Sequence, residues 1–261
     1  LLAGQSTAAG PADATTSAAA RDEARAAIPL AAINPDYRER VTRILEHPSL
    51  FRRMPTEIVD CQGPMFMFLS LNPEVLVGLW RQLGVSNVQL LRTGPKTFRL
   101  ADGNGTTGSL VIVEESCDEA AQNRIVMYAT GAYDGKPFRR PVRAECVLLL
   151  RSGSIREENG REYVAARLDS FLKVDRARLE LFAKAVHPLV GRTADQNFQE
   201  TIRFVGNLSH AAERRPHVIE KLSGKLENVG PARQEQFAQV AYLCAQRLAA
   251  SLDELDVVHT R

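Results

Sequence analysis

Two residues of opposite charge, Arg167 and Asp169, stand two apart in residues 163–174, a run that otherwise reads as an apolar strand. Side chains two apart on a strand share a face. On a face that lines a pocket, such a pair can orient the polar head of a ligand while apolar neighbours hold its body. The neighbours follow from a hairpin of residues 142–151 with 163–174, whose connection contains Asn159-Gly160, a dipeptide suited to a type I′ turn. With a two-residue turn, Leu148 stands opposite Phe171, Leu150 opposite Asp169 and Ser152 opposite Arg167. Ala144, Cys146, Tyr163 and Ala165 share that face. The candidate ligand-binding set is therefore Arg167, Asp169, Leu148, Leu150, Phe171 and Tyr163. Two alternatives stay open: the face is wet near its end, or a bulge shifts the register. The opposite face, with Val147, Leu149, Val164, Ala166, Leu168 and Leu172, is equally apolar, so alternation does not choose between them.

Other chemistries find less support. The five histidines (His47, His187, His210, His217, His259) lack metal-ligand spacing. His47 and His187 each precede a proline, and a cation at a helix end explains both. Asp102-Gly103-Asn104-Gly105 lacks the glutamate that would complete a calcium loop. The acid pairs Glu114-Glu115 and Glu157-Glu158 are adjacent in sequence, which suits neither general acid nor general base work. There is no nucleophile elbow, no P-loop and no dinucleotide fingerprint. No catalytic residue, metal or cofactor is therefore expected. Trp80, on the apolar side of a helical pattern, reads as a core anchor, and Tyr128 and Tyr133 around Gly131 read as structural.

Composition sets the class. Of 261 residues, 44% are hydrophobic and 25% charged, ordinary values for a globular chain. The 33 basic and 31 acidic residues are interspersed, so no nucleic-acid partner is expected. The short cluster Lys136, Arg139, Arg140 and Arg143 reads as a solvated turn. No apolar run is long enough for a membrane span. The opening Leu1-Leu2-Ala3-Gly4-Gln5-Ser6-Thr7-Ala8 looks like the end of a secretory signal. Gln5 stands where a lipidated cysteine would be needed, so the expected setting is export without a lipid anchor, periplasmic or secreted. Cys61, Cys117, Cys146 and Cys244 form no Cys-x-x-Cys pair, and export would permit disulfides without specifying them. Cys146 and Cys244 fall in apolar periodic stretches and read as small buried hydrophobes.

The elements come in a clear order. Residues 1–30, rich in Ala, Gly, Ser and Thr, are expected to be a disordered leader, with a short helix allowed over 20–27. Asn34-Pro35-Asp36 and Asn72-Pro73-Glu74 start helices by the same grammar of cap, proline and acid, the second ending at Gly84. Residues 57–62 and 65–71 read as strands, followed by 88–93, 96–101, 109–115, 124–130, 142–151 and 163–174. Short turns between them imply an antiparallel meander. Helices are then expected from Asp175 to about Val186, from a capping box at Thr193-Ala194-Asp195-Gln196 to Arg214, and from Pro231 to Leu255.

A strand, a helix opened by Asn72-Pro73-Glu74, a meander and a long helix form an order that resembles the START-like, helix-grip superfamily. The resemblance rests on residues 66–71, 73–83, the hairpin 98–113 with its Gly-rich turn, and the last helix, and it spans residues 57–214. It implies an α+β fold in which a curved antiparallel sheet grips a long C-terminal helix around a cavity for an apolar ligand. Here extra N- and C-terminal helices are added. The expected domains are the leader, an α+β domain over 31–223 and a helical extension over 224–261, divided at the glycines of 224–230. Two functional readings follow. One is non-enzymatic binding of a lipid or other apolar small molecule between sheet and helix. The other is an interaction module whose C-terminal helices pack against a second copy or another protein. A cyclase-type pocket enzyme using Arg167 and Asp169 ranks third.

Overall fold

Pro35 fits the first turn of a helix because the amide it lacks has no partner there. Asn34 caps that turn, its Oδ1 accepting the Asp36 N–H at 3.0 Å. The resulting helix, α2 (Pro35–Glu46), follows α1 (Ala18–Ala26), whose start Ser17 caps by accepting the Ala20 N–H. The computed structural model describes residues 13–117, 122–136, 138, 140–157, 161–174 and 187–259, except for the side chains of 187–192 and 252–259. The remaining elements are β1 (Leu50–Arg53), β2 (Glu57–Asp60), α3 (Gly63–Leu71), α4 (Pro73–Gln82), β3 (Gln89–Gly94), β4 (Thr97–Ala101), β5 (Thr106–Ser116) and β6 (Asn123–Tyr133). Then come β7 (Val142–Arg156), β8 (Glu162–Val174), α5 (His187–Arg214), α6 (Pro216–Ser223) and α7 (Pro231–His259).

The strands form one open antiparallel sheet in the order β1-β8-β7-β6-β5-β4-β3, with β2 also paired to β8. The fold is α+β, with the long helix α5 laid on the sheet and further helices before and after it. β1 and β2 act as two halves of one edge strand. β1 pairs with residues 169–172 and β2 with residues 163–166 of β8. Pro55 lies in the gap, where it has no N–H to give the ladder. Met54 keeps the strand attached by donating its N–H to the Leu168 carbonyl at 2.9 Å.

Both faces of the sheet are covered. On the outer face, α1 and α2 bury Phe51, Val111, Val126, Tyr128, Val147, Leu149 and Phe171. On the inner face, α3, α4 and α5 pack over Phe98, Ile112, Ile125, Val164 and Ala166. A bulge between Ile112 and Glu114 frees the carbonyl of Val113, which accepts the N–H of Asn34 at 2.9 Å and so fixes the start of α2 on the sheet. Helix α5 is aligned along the edge strand by polar ties: Arg52 Nε to Asp195 at 2.7 Å, Gln199 to Glu57 at 2.9 Å, and the Gln62 N–H to Ser209 Oγ at 2.9 Å. Gly206 lets the helix come this close, since a Cβ there would lie 2.4 Å from Val59 Cγ2.

Several expectations are corrected. Residues 1–12 lie outside the described residues, but the rest of the expected leader is ordered. Thr15 bridges to Arg53, and α1 buries Ala20 and Ala24, small side chains that let it sit close to the sheet. Residues 65–71 are helical. A short apolar run has no periodicity to separate strand from helix, and α3 is apolar all round because helices and sheet enclose it. Its Phe68 stacks on Phe237 of α7 with ring centroids 5.7 Å apart. Thr193 does not start α5, which already runs from His187, and Asp195 takes Arg52 rather than a cap role. His187 is the first described residue of this helix, and the helix expected over 175–186 lies outside the described residues. Within the expected extension, Phe237, Ala241 and Cys244 of α7 are fully buried in the inner core. No helix among the described residues is long and apolar enough to cross a membrane.

Candidate functional site

Glu162 opens β8 on the inner face, and its Oε1 accepts the N–H of Gly63, the first residue of α3, at 3.0 Å. A carboxylate there meets the positive end of the helix. Its Oε2 lies 3.4 Å from Arg247 Nη1 of α7. These three elements meet at one end of the inner face and leave a cavity of about 470 Å³. Its lining includes Gly63, Pro64 and Met67 of α3, Cys117 after β5, Asn123 of β6, Ser154 and Arg156 of β7, and Glu162 and Arg247. Met67 forms a soft wall and receives the Ser152 hydroxyl at 3.9 Å. Among the described residues, its charged lining groups are two arginines, Arg156 and Arg247, and one carboxylate, Glu162. A molecule with an apolar body and an anionic head matches this distribution. The cavity is partly open and mixed in character, whereas the resemblance implied a closed apolar one. A larger but shallower groove, about 760 Å³, lies on the outer face over Thr107, Thr130, Ala132 and Glu145. Arg43 closes one of its sides by pairing with Glu145 at 2.7 Å, and the Tyr128 hydroxyl donates to the same carboxylate at 2.6 Å. Burial, then that bond, pushes the Tyr128 phenol up to about 12.

No protein-family model matches the chain, and no curated protein matches it. The site must therefore be read from its own geometry.

The residues singled out by the Arg167–Asp169 pattern do not form one pocket. The observed hairpin register places Leu148 opposite Ser170, Leu149 opposite Asp169, Leu150 opposite Leu168 and Arg151 opposite Arg167. That is one residue away from the expected pairing. Arg156 pairs with Glu162, and the Glu157 N–H donates to the Arg161 carbonyl, so residues 158–160, outside the described residues, take the place of a two-residue turn. A one-residue slip sends alternate side chains to opposite faces. Leu148 and Leu150 join the inner core. Arg167, Asp169, Phe171 and Tyr163 alternate onto the outer face. There Phe171 is fully buried against Phe51, with ring centroids 5.0 Å apart.

Asp169 sits in a buried ion network. It is fully buried and accepts Arg53 Nε at 2.6 Å and Arg151 Nη2 at 2.9 Å. Glu23 of α1 caps the same arginines, accepting Arg151 Nη1 at 2.5 Å and pairing with Arg53. The bonds from Arg151 lead in holding the Glu23 carboxyl down to about 2, with Arg53 adding to them. A second polar cluster ties the β8 edge to α5: Arg161 bonds Asp60 at 2.7 Å and His210 Nδ1 at 2.8 Å, while Glu213 lies 3.6 Å from Arg161. Among the described residues, no group of His, Cys, Asp or Glu is placed to hold a metal ion. Sequence reading missed the cavity residues because the Gly63-Pro64 helix start was masked by the strand-like run behind it. That dipeptide was the available signal.

Proposed function

We propose that this chain binds, without catalysis, an amphipathic small molecule whose anionic head meets Arg156 and Arg247 and whose apolar body lies on Pro64 and Met67. The observation that carries the reading is the partly enclosed cavity between the inner sheet face, α3 and α7, lined by Pro64 and Met67 together with Arg156, Glu162 and Arg247. The order from β2 through two helices and a six-strand meander to α5 supports the START-like resemblance, in which such a space takes an apolar ligand. The reading in which the C-terminal helices form an interface has less behind it, because the apolar side of α7 is already used in the core. Among the described residues, Tyr242 and Leu243 are the large apolar side chains that α7 exposes.

The test is a fluorescence titration with 11-(dansylamino)undecanoic acid, an alkyl carboxylate of matching chemistry. Saturable binding by the native protein is expected. Met67→Trp, which fills the cavity, and Arg247→Gln, which removes the head contact, should each weaken it by about tenfold or more. Native mass spectrometry with organic extraction of the purified protein then identifies what it carries. Absence of saturable binding, or equal binding by Met67→Trp, refutes the proposal.

A further inference from the structure

Three arginines meet at the seam between α1 and the outer sheet face: Arg53 of β1, Arg151 of β7 and Arg167 of β8. Among the described residues, two carboxylates, Glu23 and Asp169, face them in ion pairs, one fewer than the arginines. Asp169 is consumed by Arg53 and Arg151. Glu23 bonds the same two and lies 3.5 Å from Arg167 Nη2. Arg167 is the member with surplus capacity: its side chain is 28% exposed, and that 3.5 Å approach to Glu23 is its only polar contact among the described residues. Burial, then the like charges of Arg151 and Arg53, disfavours its cationic form. A guanidinium held half-buried beside two others is poorly placed for stability alone.

The seam is also accessible. Glu23 is 46% exposed, and Arg167 lies opposite the break in the edge strand at Pro55. On the same strand face, Ala165 and Tyr163 lead away from Arg167, with Ile155 paired to Tyr163 and Ile58 to Ala165. Ile155 and Ile58 are exposed at 54% and 57%. Oxyanions are recognised by converging guanidinium donors.

We propose that Arg53, Arg151 and Arg167 form an oxyanion-binding site, for a phosphate or carboxylate group, in which the Glu23 carboxylate of α1 acts as a built-in competitor. The oxyanion docks on Arg167 and exchanges for Glu23 on Arg151, loosening α1 from the sheet. The site lies on the face opposite the cavity of the proposed function and stands or falls separately from it.

The experiment is isothermal titration calorimetry of the full chain with inorganic phosphate and with hexyl phosphate. Glu23→Gln, which removes the competitor, should tighten phosphate binding by about tenfold or more. Arg167→Gln should abolish it, and because the 3.5 Å approach to Glu23 is that residue's one polar contact among the described residues, the variant should fold normally with an unchanged or raised Tm. Tighter binding of hexyl phosphate supports an oxyanion carried on an apolar group that uses Tyr163 and Ile155. Equal binding of the two supports a free anion at the same site. Phosphate binding that survives Arg167→Gln, or no binding by either the native protein or Glu23→Gln, overturns the proposal.

Discussion

Replacing Asp169 with Asn should destabilise the fold far more than an average substitution. The side chain keeps its shape but loses its charge, and Asp169 is fully buried between Arg53 Nε at 2.6 Å and Arg151 Nη2 at 2.9 Å. Three arginines would then face one carboxylate, Glu23, which is itself 46% exposed and screened by water. Arg151, only 7% exposed, has no route to solvent for its lost partner. Removing one member of a buried pair costs about 3–5 kcal/mol because the other charge stays buried. For a domain of this size each kcal/mol moves Tm by about 2–4 °C, so a fall of roughly 6–20 °C is expected. Urea unfolding followed by circular dichroism measures this directly, with a lower midpoint at unchanged slope. The double variant Arg151→Met with Asp169→Leu is the control. It removes both charges at once and should regain most of the loss, as apolar replacements of buried pairs do. A loss below about 1 kcal/mol for Asp169→Asn, or a double variant no better than the single, would refute the view that Asp169 is the counter-charge of this network.

Three other outcomes follow from the same structure. Glu23 has a depressed folded pKa, about 2 against an ordinary 4.5, so its contribution is complete above the ordinary value and lost as pH falls towards the folded one. Thermal melts of the native protein and Glu23→Gln should therefore converge as pH drops from about 4.5 to about 2, and parallel curves would show that the contact is not formed in solution. Gly206→Ala would place a methyl 2.4 Å from Val59 Cγ2 and 3.2 Å from the Asp60 carbonyl. It should force α5 off the edge strand at a cost of about 1–3 kcal/mol, and a neutral melt would refute the close approach. Burial pushes up all four thiols, Cys146 to about 11 and Cys244 to about 12, with Glu115 and Glu114 adding to the rise at Cys117, but Cys117 is the exposed one. Iodoacetamide at mildly alkaline pH should thus modify Cys117 first, with the others reacting only on unfolding. Rapid native labelling of Cys61 or Cys244, read by mass spectrometry, would contradict this.

The helices that begin with Asn-Pro-acid were legible because each residue has a separate local cause. Asn34 caps α2 as expected, with Pro35 in the first turn. At Asn72 the start was right but the chemistry differs. Its side chain serves the end of α3, donating to the Phe68 carbonyl at 2.8 Å, and accepts Arg92 Nη2 at 2.8 Å. Arg92 in turn holds the buried Glu74 at 2.6 Å. Gly84 ends this stretch with φ at 70°, a conformation that glycine adopts without strain. The β3–β8 meander was legible for the same reason, since turn residues punctuate every strand. Helix α1 was allowed over 20–27, but its docking on the sheet was not legible, because its anchoring depends on Arg53 and Arg151, far away in the chain.

The site residues were less legible for a reason that lies in the sheet itself. A sheet with one wet face shows which side is which by alternation. Here α1 and α2 cover one face and α3, α4 and α5 the other, so β7 and β8 are apolar on both sides and alternation carries no sign. Only the register can then assign a face, and the register depends on the length of one hairpin connection. A turn longer by one residue moved Leu148 and Leu150 away from Arg167 and Asp169. The charges themselves held the missing information. Arg151, Arg167 and Asp169 must share a face for their charges to be compensated in the interior, which the observed register provides and the two-residue register does not. In the two-residue register Arg151 would point into the inner core, with neither Asp169 nor Glu23 within reach. Pairing buried charges before counting turn residues would have selected the right register, since a buried unpaired arginine costs more than a turn one residue longer than its preferred length.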